Sequence, residues 1–202
     1  WHSCRANGQR ANNREKQLRV VAKNMHEQFN NSIKLAKSID VHAHAVLDQS
    51  MGAAGEHGPE LIETEGQPSL FRVGGYELHG VKYRDSAFMD VNKRIARMAT
   101  AGIDFQILSP NPLTYFHYID APSAISFCKR HNDILVDLVK QHPDKLAGFA
   151  ALPMQDIPAA CEELRRAVTE LGLLAAYIGT DIGQPLDGAA LDPLYETCLE
   201  LN

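Results

Sequence analysis

Ser38-Ile39-Asp40-Val41-His42-Ala43-His44 reads as a short strand whose apolar residues give way to histidines at its end. Side chains alternate across a strand, so Asp40, His42 and His44 share one face and Ile39, Val41 and Ala43 share the other. The apolar set suits packing against helices; the polar set suits the interior of a curled sheet. Two imidazoles on one side, roughly 7 Å apart at Cβ by the strand rise, can converge on one divalent ion. Neutral imidazole suits Zn2+ and other transition metals. Asp40, one step deeper, either orients a ligand or approaches the ion itself. A bare His-x-His is common in chains that bind nothing. Two histidines also fall short of the three protein ligands that a catalytic zinc takes.

The sequence after this strand sets the fold. Val46 to Asp90 reads as a long loop rich in Gly and charge, a length often tied to function. Asp90 caps a helix to about Ala101, closed by Gly102. Phe105–Leu108 is an apolar strand, ended by Ser109-Pro110-Asn111-Pro112. Pro122 to Gln141 is a long helix with apolar residues at Ile125, Cys128, Ile134, Leu135, Leu138 and Val139. Leu146–Leu152 is a strand, and Pro158–Leu171 is a helix stopped by Gly172. Leu174–Ile178 is a strand ending at Gly179-Thr180-Asp181, and Asp192–Leu201 begins another helix with Pro193 in its first turn.

This β-α alternation predicts a parallel sheet with helices outside it. An open doubly wound sheet would carry Gly-x-Gly-x-x-Gly after its first strand, and here that strand ends in histidines. Polar residues at the C-terminal ends of all four strands suit a barrel. The expected fold is α/β, a (β/α)8 TIM-type barrel of which the chain covers roughly the first four βα units. Residues 39–202 form its N-terminal half. Residues 1–38 are expected to be a weakly structured N-terminal extension. Within it Arg14–Lys37 has the spacing of a helix, but with only a thin apolar face of Leu18, Val21, Met25, Phe29 and Ile33. The start at Trp1 and the end at Glu200-Leu201-Asn202, inside a helix, are expected of a piece of a longer reading frame, with Met25 as its native start.

Composition narrows the partners. With 45% hydrophobic and 22% charged residues the chain is of ordinary globular type. A formal net charge of -5 argues against a nucleic-acid partner. No apolar run approaches the roughly 20 residues of a membrane span. No signal-peptide pattern is visible, so a cytoplasmic protein is expected. Cys4, Cys128, Cys161 and Cys198 form no Cys-x-x-Cys pair and read as free thiols. No Ser/His/Asp arrangement and no P-loop is present.

Among the other histidines, His142 sits at a helix end, His131 reads as a surface or packing residue, and His57 and His79 lie in the long loop. His117 belongs to an aromatic run, Thr114-Tyr115-Phe116-His117-Tyr118, that either walls a substrate pocket or packs on the barrel rim. Arg72 and Arg84 are candidates to clamp a substrate carboxylate with a bidentate fork, against the plainer reading of surface arginines.

Beyond Asp40-Val41-His42-Ala43-His44, several segments resemble the amidohydrolase superfamily. They are Arg94-Ile95-Ala96-Arg97-Met98, Ala101-Gly102-Ile103-Asp104, Asn132-Asp133, His142 to Gly148, Leu152-Pro153-Met154-Gln155-Asp156 and Ile178-Gly179-Thr180. The ordered set resembles its aminocarboxymuconate-semialdehyde decarboxylase-like branch, over about residues 38 to 202. The resemblance implies a barrel with one divalent metal, commonly Zn2+, and matches His42 and His44 to the first two metal ligands. The branch's later ligands, a histidine and an aspartate, and its catalytic histidine find no match, so no catalytic residue is assigned. Its decarboxylases hold a substrate carboxylate with an arginine after strand one. Phe71-Arg72 resembles that local pattern, and spacing back from Asp90 points instead to Lys82 to Arg84. The implied function is a metal-dependent C–C lyase (decarboxylase) or hydrolase on a small carboxylated unsaturated or aromatic substrate, the parent protein being a homodimer. A phosphoesterase or nuclease barrel, or a non-catalytic fragment with exposed sheet edges, are the alternatives.

Overall fold

The computed structural model describes the backbone of residues 2–201 and the side chains of residues 16–201. In chain order the elements are α1 (His2–Leu35), β1 (Ile39–Ala45), β2 (Glu60–Ile62), β3 (Leu70–Val73), β4 (Tyr76–His79), α2 (Val91–Ala101), β5 (Phe105–Pro110), α3 (Ala121–Val139), β6 (Leu146–Ala150), α4 (Ile157–Arg166), β7 (Ala175–Ala176) and α5 (Asp192–Glu200). Strands β1, β5, β6 and β7 form one parallel sheet in that order. Sequential strands are neighbours and helices lie between them, as the alternation requires. The sheet curls: Tyr177, just past β7, meets the ring of His42 on β1 at 5.8 Å between centroids, across two intervening strands. A flat sheet would hold β1 and β7 about three strand spacings apart. This is an α/β sheet that makes up part of a barrel.

Local chemistry sets the boundaries. The Asp90 carboxylate accepts from the backbone N–H groups of Asn92 and Lys93, and Gly102 closes α2 in the left-handed region at φ 71°. Asp120 and Asp156 cap α3 and α4 in the same way, each with a proline in the first turn. Inside, Asn132 of α3 clamps the backbone beyond β6. Its Nδ2 donates to the Ala151 carbonyl at 3.0 Å and its Oδ1 accepts from the Ala151 N–H at 2.8 Å. The same Nδ2 donates to Glu163 at 2.7 Å, and Arg166 closes the group with a 2.8 Å bond to that carboxylate.

Two expectations require correction. Residues His2–Leu35 are helical, in place of a weakly structured extension. The thin face suffices because α1 lies across the N-terminal ends of the strands. Ala22, Met25 and Phe29 are buried, and Phe29 meets Phe105 edge-on at 6.5 Å. His26 Nε2 bonds with the Leu173 carbonyl at 3.2 Å, and Ser32 donates to the Pro143 carbonyl at 3.3 Å. Gly172, at φ 80°, permits the close approach, since a Cβ there would stand 3.2 Å from the Ala22 Cα.

The stretch from Val46 to Asp90 is also more than a loop. It contains a three-stranded antiparallel sheet, β2-β3-β4, with a tight turn at Gly74-Gly75 between Val73 and Tyr76. Phe71 and Val73 alternate inward and join Val46, Phe116 and Phe127 in a second apolar cluster. His131 is a packing residue, 2% exposed, against Phe127 at 5.7 Å. Cys128, Cys161 and Cys198 are free thiols, while Cys4 lies outside the described side chains. No described helix is long and apolar enough to cross a membrane.

Candidate metal centre

His42 and His44 stand at the C-terminal half of β1, and their Nε2 atoms lie 3.1 Å apart. The rings cross edge to face at 4.8 Å between centroids. His44 Nδ1 lies 2.9 Å from the Pro110 carbonyl and 2.9 Å from the Ser109 hydroxyl. The carbonyl can only accept, so it fixes the proton on Nδ1 and leaves the Nε2 lone pair free. Tyr177 OH approaches His42 Nδ1 at 3.5 Å. Its ring sits 5.8 Å from both imidazoles and stacks on Phe149 at 6.4 Å.

Burial lowers the proton affinity of His44. Neighbouring His42 and Arg94 push the same way, against the Pro110 carbonyl. A neutral imidazole is the ligand form, so the site keeps His44 ready to bind a cation. The 3.1 Å separation lets two lone pairs reach one ion at the ~2.0–2.1 Å of a metal–imidazole bond. No cluster of three or more His, Cys, Asp or Glu with ligand geometry exists among the described residues. The two histidines are therefore a pair.

Asp40 is committed within the protein. Its Oδ1 accepts from the His42 backbone N–H at 2.9 Å, and its Oδ2 accepts from Gln106 Nε2 at 2.7 Å. Gln106 Oε1 accepts from Arg94 at 2.7 Å, and a second Arg94 nitrogen donates to the His44 carbonyl at 2.7 Å. Arg94 is 8% exposed. Burial lowers its proton affinity, to about 10, while Asp40 holds it up, so it stays charged at neutral pH. A buried cation thus ties β1 to β5 through two carriers of the histidine backbone. The register of the two strands slips here: Asp40 pairs with Gln106 and Ala43 with Leu108, three residues against two. Such a bulge re-aims side chains. It falls at Val41 and His42, and it interrupts the simple alternation expected from sequence. Val41, expected to pack against helices, is 56% exposed.

The structure does not bring the two arginines to the pair. Arg72 lies on β3, and Glu60 fills its fork at 3.1 and 2.8 Å. Arg84 bridges Glu63 at 2.7 Å and Asp48 at 3.2 Å. Sequence reasoning gave no role to Tyr177, Gln106 or Arg94. Arg94 lay inside a quoted segment, and the signal available was a lone arginine on the apolar side of an amphipathic helix.

Comparisons with known proteins give the family. The Amidohydrolase family model matches residues 39–202, and the chain belongs to that family. It is 32% identical over 119 residues to a 2-amino-3-carboxymuconate-6-semialdehyde decarboxylase of Dictyostelium discoideum, covering 58% of this chain and 33% of that protein. It is 41% identical over 103 residues to a gamma-resorcylate decarboxylase of Rhodococcus jostii, covering 50% of this chain and 31% of that protein. Among solved structures it resembles 2,6-dihydroxybenzoate decarboxylase from Rhizobium, with a TM-score of 0.59 and 25% identity over 81% of this chain and 47% of that one. It also resembles a dihydroxybenzoic acid decarboxylase from Polaromonas with bound manganese and 2-nitroresorcinol, with a TM-score of 0.57 and 26% identity over 81% and 46%. The chain spans about a third of the length of the curated relatives it matches.

Proposed function

We propose that this chain supplies the first two metal ligands, His42 and His44, of a metal-dependent decarboxylase acting on small carboxylated aromatic or unsaturated acids. The observation that carries the reading is the convergence of two Nε2 atoms to 3.1 Å at the C-terminal end of a barrel strand. In barrels of this type that end carries the chemistry. Decarboxylases of 2,6-dihydroxybenzoate and related acids are among the relatives, and one relative holds manganese. Imidazole nitrogens equally suit zinc, which we propose as the resident ion.

A divalent ion bound there would supply a Lewis acid that polarises a substrate oxygen or acidifies water. The chain's own residues do the positioning. Ser109 and the Pro110 carbonyl hold the His44 ring with its free nitrogen outward. Asp40 fixes the His42 backbone, and Gln106 and Arg94 fix Asp40. Tyr177 and Phe149 form an aromatic wall beside the imidazoles that suits the face of an unsaturated acid. Asp40 is proposed as a positioning residue, since both of its oxygens already accept bonds from the protein. Glu60 occupies the fork of Arg72, so of the two arginines Arg84 is the one proposed for a substrate carboxylate.

The test is metal-dependent binding of 2,6-dihydroxybenzoate, read by calorimetry on the purified chain with and without added zinc or manganese. Binding only with metal, lost in His42→Ala and in His44→Ala, is the expected result. Binding indifferent to metal and to both substitutions would overturn the reading.

A further inference from the structure

Resting on the metal-dependent reading of His42 and His44, the geometry points to a second polar contact for the substrate, in which His117 binds an aryl hydroxyl in the cleft between the loops after β5 and β7. That cleft measures about 330 Å3, and Tyr115, His117 and Asp181 are among its walls. Phe116 has a left-handed backbone, φ 52°, rare for a large side chain. Strain of this kind collects at functional sites. Its ring is buried against Phe127 at 4.6 Å. The rings on either side of it, Tyr115 and His117, lie beside each other at 5.7 Å on the cleft side. Gln155 holds this turn by donating to the Phe116 and Ile119 carbonyls at 2.9 and 3.0 Å.

Both ring nitrogens of His117 are buried, and neither has a hydrogen-bond partner. A buried polar group left so is destabilising, and a bound polar group removes that cost. Burial lowers the proton affinity of the imidazole, against the opposing pull of Asp181. A neutral ring offers one donor and one acceptor, and a hydroxyl answers either. A carboxylate in the same cleft would meet the charge of Asp181, so the acid end of a substrate belongs toward His42 and His44. A run of ring contacts links the two regions: Tyr115 lies 6.2 Å from Tyr177, which lies 5.8 Å from His42. Gly179 packs its backbone against the rings of Tyr115 and His117. A Cβ there would stand 3.0 Å from the Tyr115 ring and 3.5 Å from His117 Nε2.

Phenol, which has the hydroxyl and no carboxylate, is the probe, and toluene is its control. Each is titrated into the metal-free chain while the histidine ring nitrogens are followed by NMR. Phenol should shift the His117 signals saturably, and toluene should not. His117→Phe and, independently, Gly179→Ala should each weaken phenol binding about tenfold, on the scale of one hydrogen bond; His79→Gln, on β4, should leave it unchanged. A His117 signal untouched by phenol, or shifted equally by toluene, overturns the inference. Failure of the metal-dependent acid binding described above, with the phenol result intact, overturns the functional reading instead.

Discussion

Replacing Gln106 with methionine keeps the volume of a buried side chain and removes both of its polar ends. Gln106 Oε1 accepts from Arg94 at 2.7 Å, and its Nε2 donates to Asp40 at 2.7 Å. Each bond has one charged partner, and such bonds are worth about 1.5–3 kcal/mol net. Arg94 is 8% exposed and cannot recover a full water shell, although it keeps the His44 carbonyl. Asp40 is half-buried, regains part of its hydration, and keeps the His42 N–H. The expected loss is therefore about 3 kcal/mol, the lower end for two such bonds. That is a large share of the ~5–15 kcal/mol that holds a domain together. Urea denaturation of wild type and Gln106→Met, followed by circular dichroism, reads it as a lower midpoint at constant slope. The same change frees the Asp40 carboxylate that fixes His42, so zinc affinity should fall about tenfold, as for other partners behind a ligand. A midpoint equivalent to wild type within about 0.5 kcal/mol, with zinc affinity unchanged, would refute the argument that this chain of bonds builds the site.

Other consequences are open to the same assays. Asn132→Ala removes three buried bonds, two to Ala151 and one to Glu163, and should cost about 3 kcal/mol by urea denaturation. Phe29→Ala opens a cavity under α1 at a side chain with no exposure and should cost about 3–5 kcal/mol; no loss would show that α1 is not packed on the strands. His131 is neutral when folded, because burial lowers its pKa to about 4, whereas the unfolded ring titrates near its ordinary 6.5. The unfolded chain therefore binds the extra proton between those values, and stability is lost as pH falls through that window. Between pH 7 and pH 5 the wild type should lose about 2 kcal/mol more than His131→Leu; equal losses would contradict this.

The alternation of apolar strands with helices was legible from signals at helix ends. Asp90 caps α2, and Gly102 and Gly172 end helical stretches in the left-handed region. The two histidines were legible because they fall, with Asp40, at the end of the first apolar strand of a β-α series. The bulge at Val41 and His42 was not, since register depends on the partner strand. Nor was Tyr177, whose meeting with His42 depends on sheet curvature and not on sequence distance. Helix α1 was misread because few apolar residues suffice when the surface beneath is already formed. The small sheet β2-β3-β4 was hidden by charged neighbours, although Gly74-Gly75 was a turn signal. The arginines were weighed without their partners, and Glu60 and Glu63 lay too far along the chain for the sequence to pair them with Arg72 and Arg84.

The central claim is that His42 and His44 hold one ion together. Zinc titrated into the chelator-stripped chain, with the imidazole nitrogens followed by NMR, tests it most directly. The account predicts that Nε2 of both residues shifts in step and saturates at one equivalent, while His131 is unmoved. Signals of His42 and His44 that stay in place, or that respond at separate stoichiometries, would contradict it.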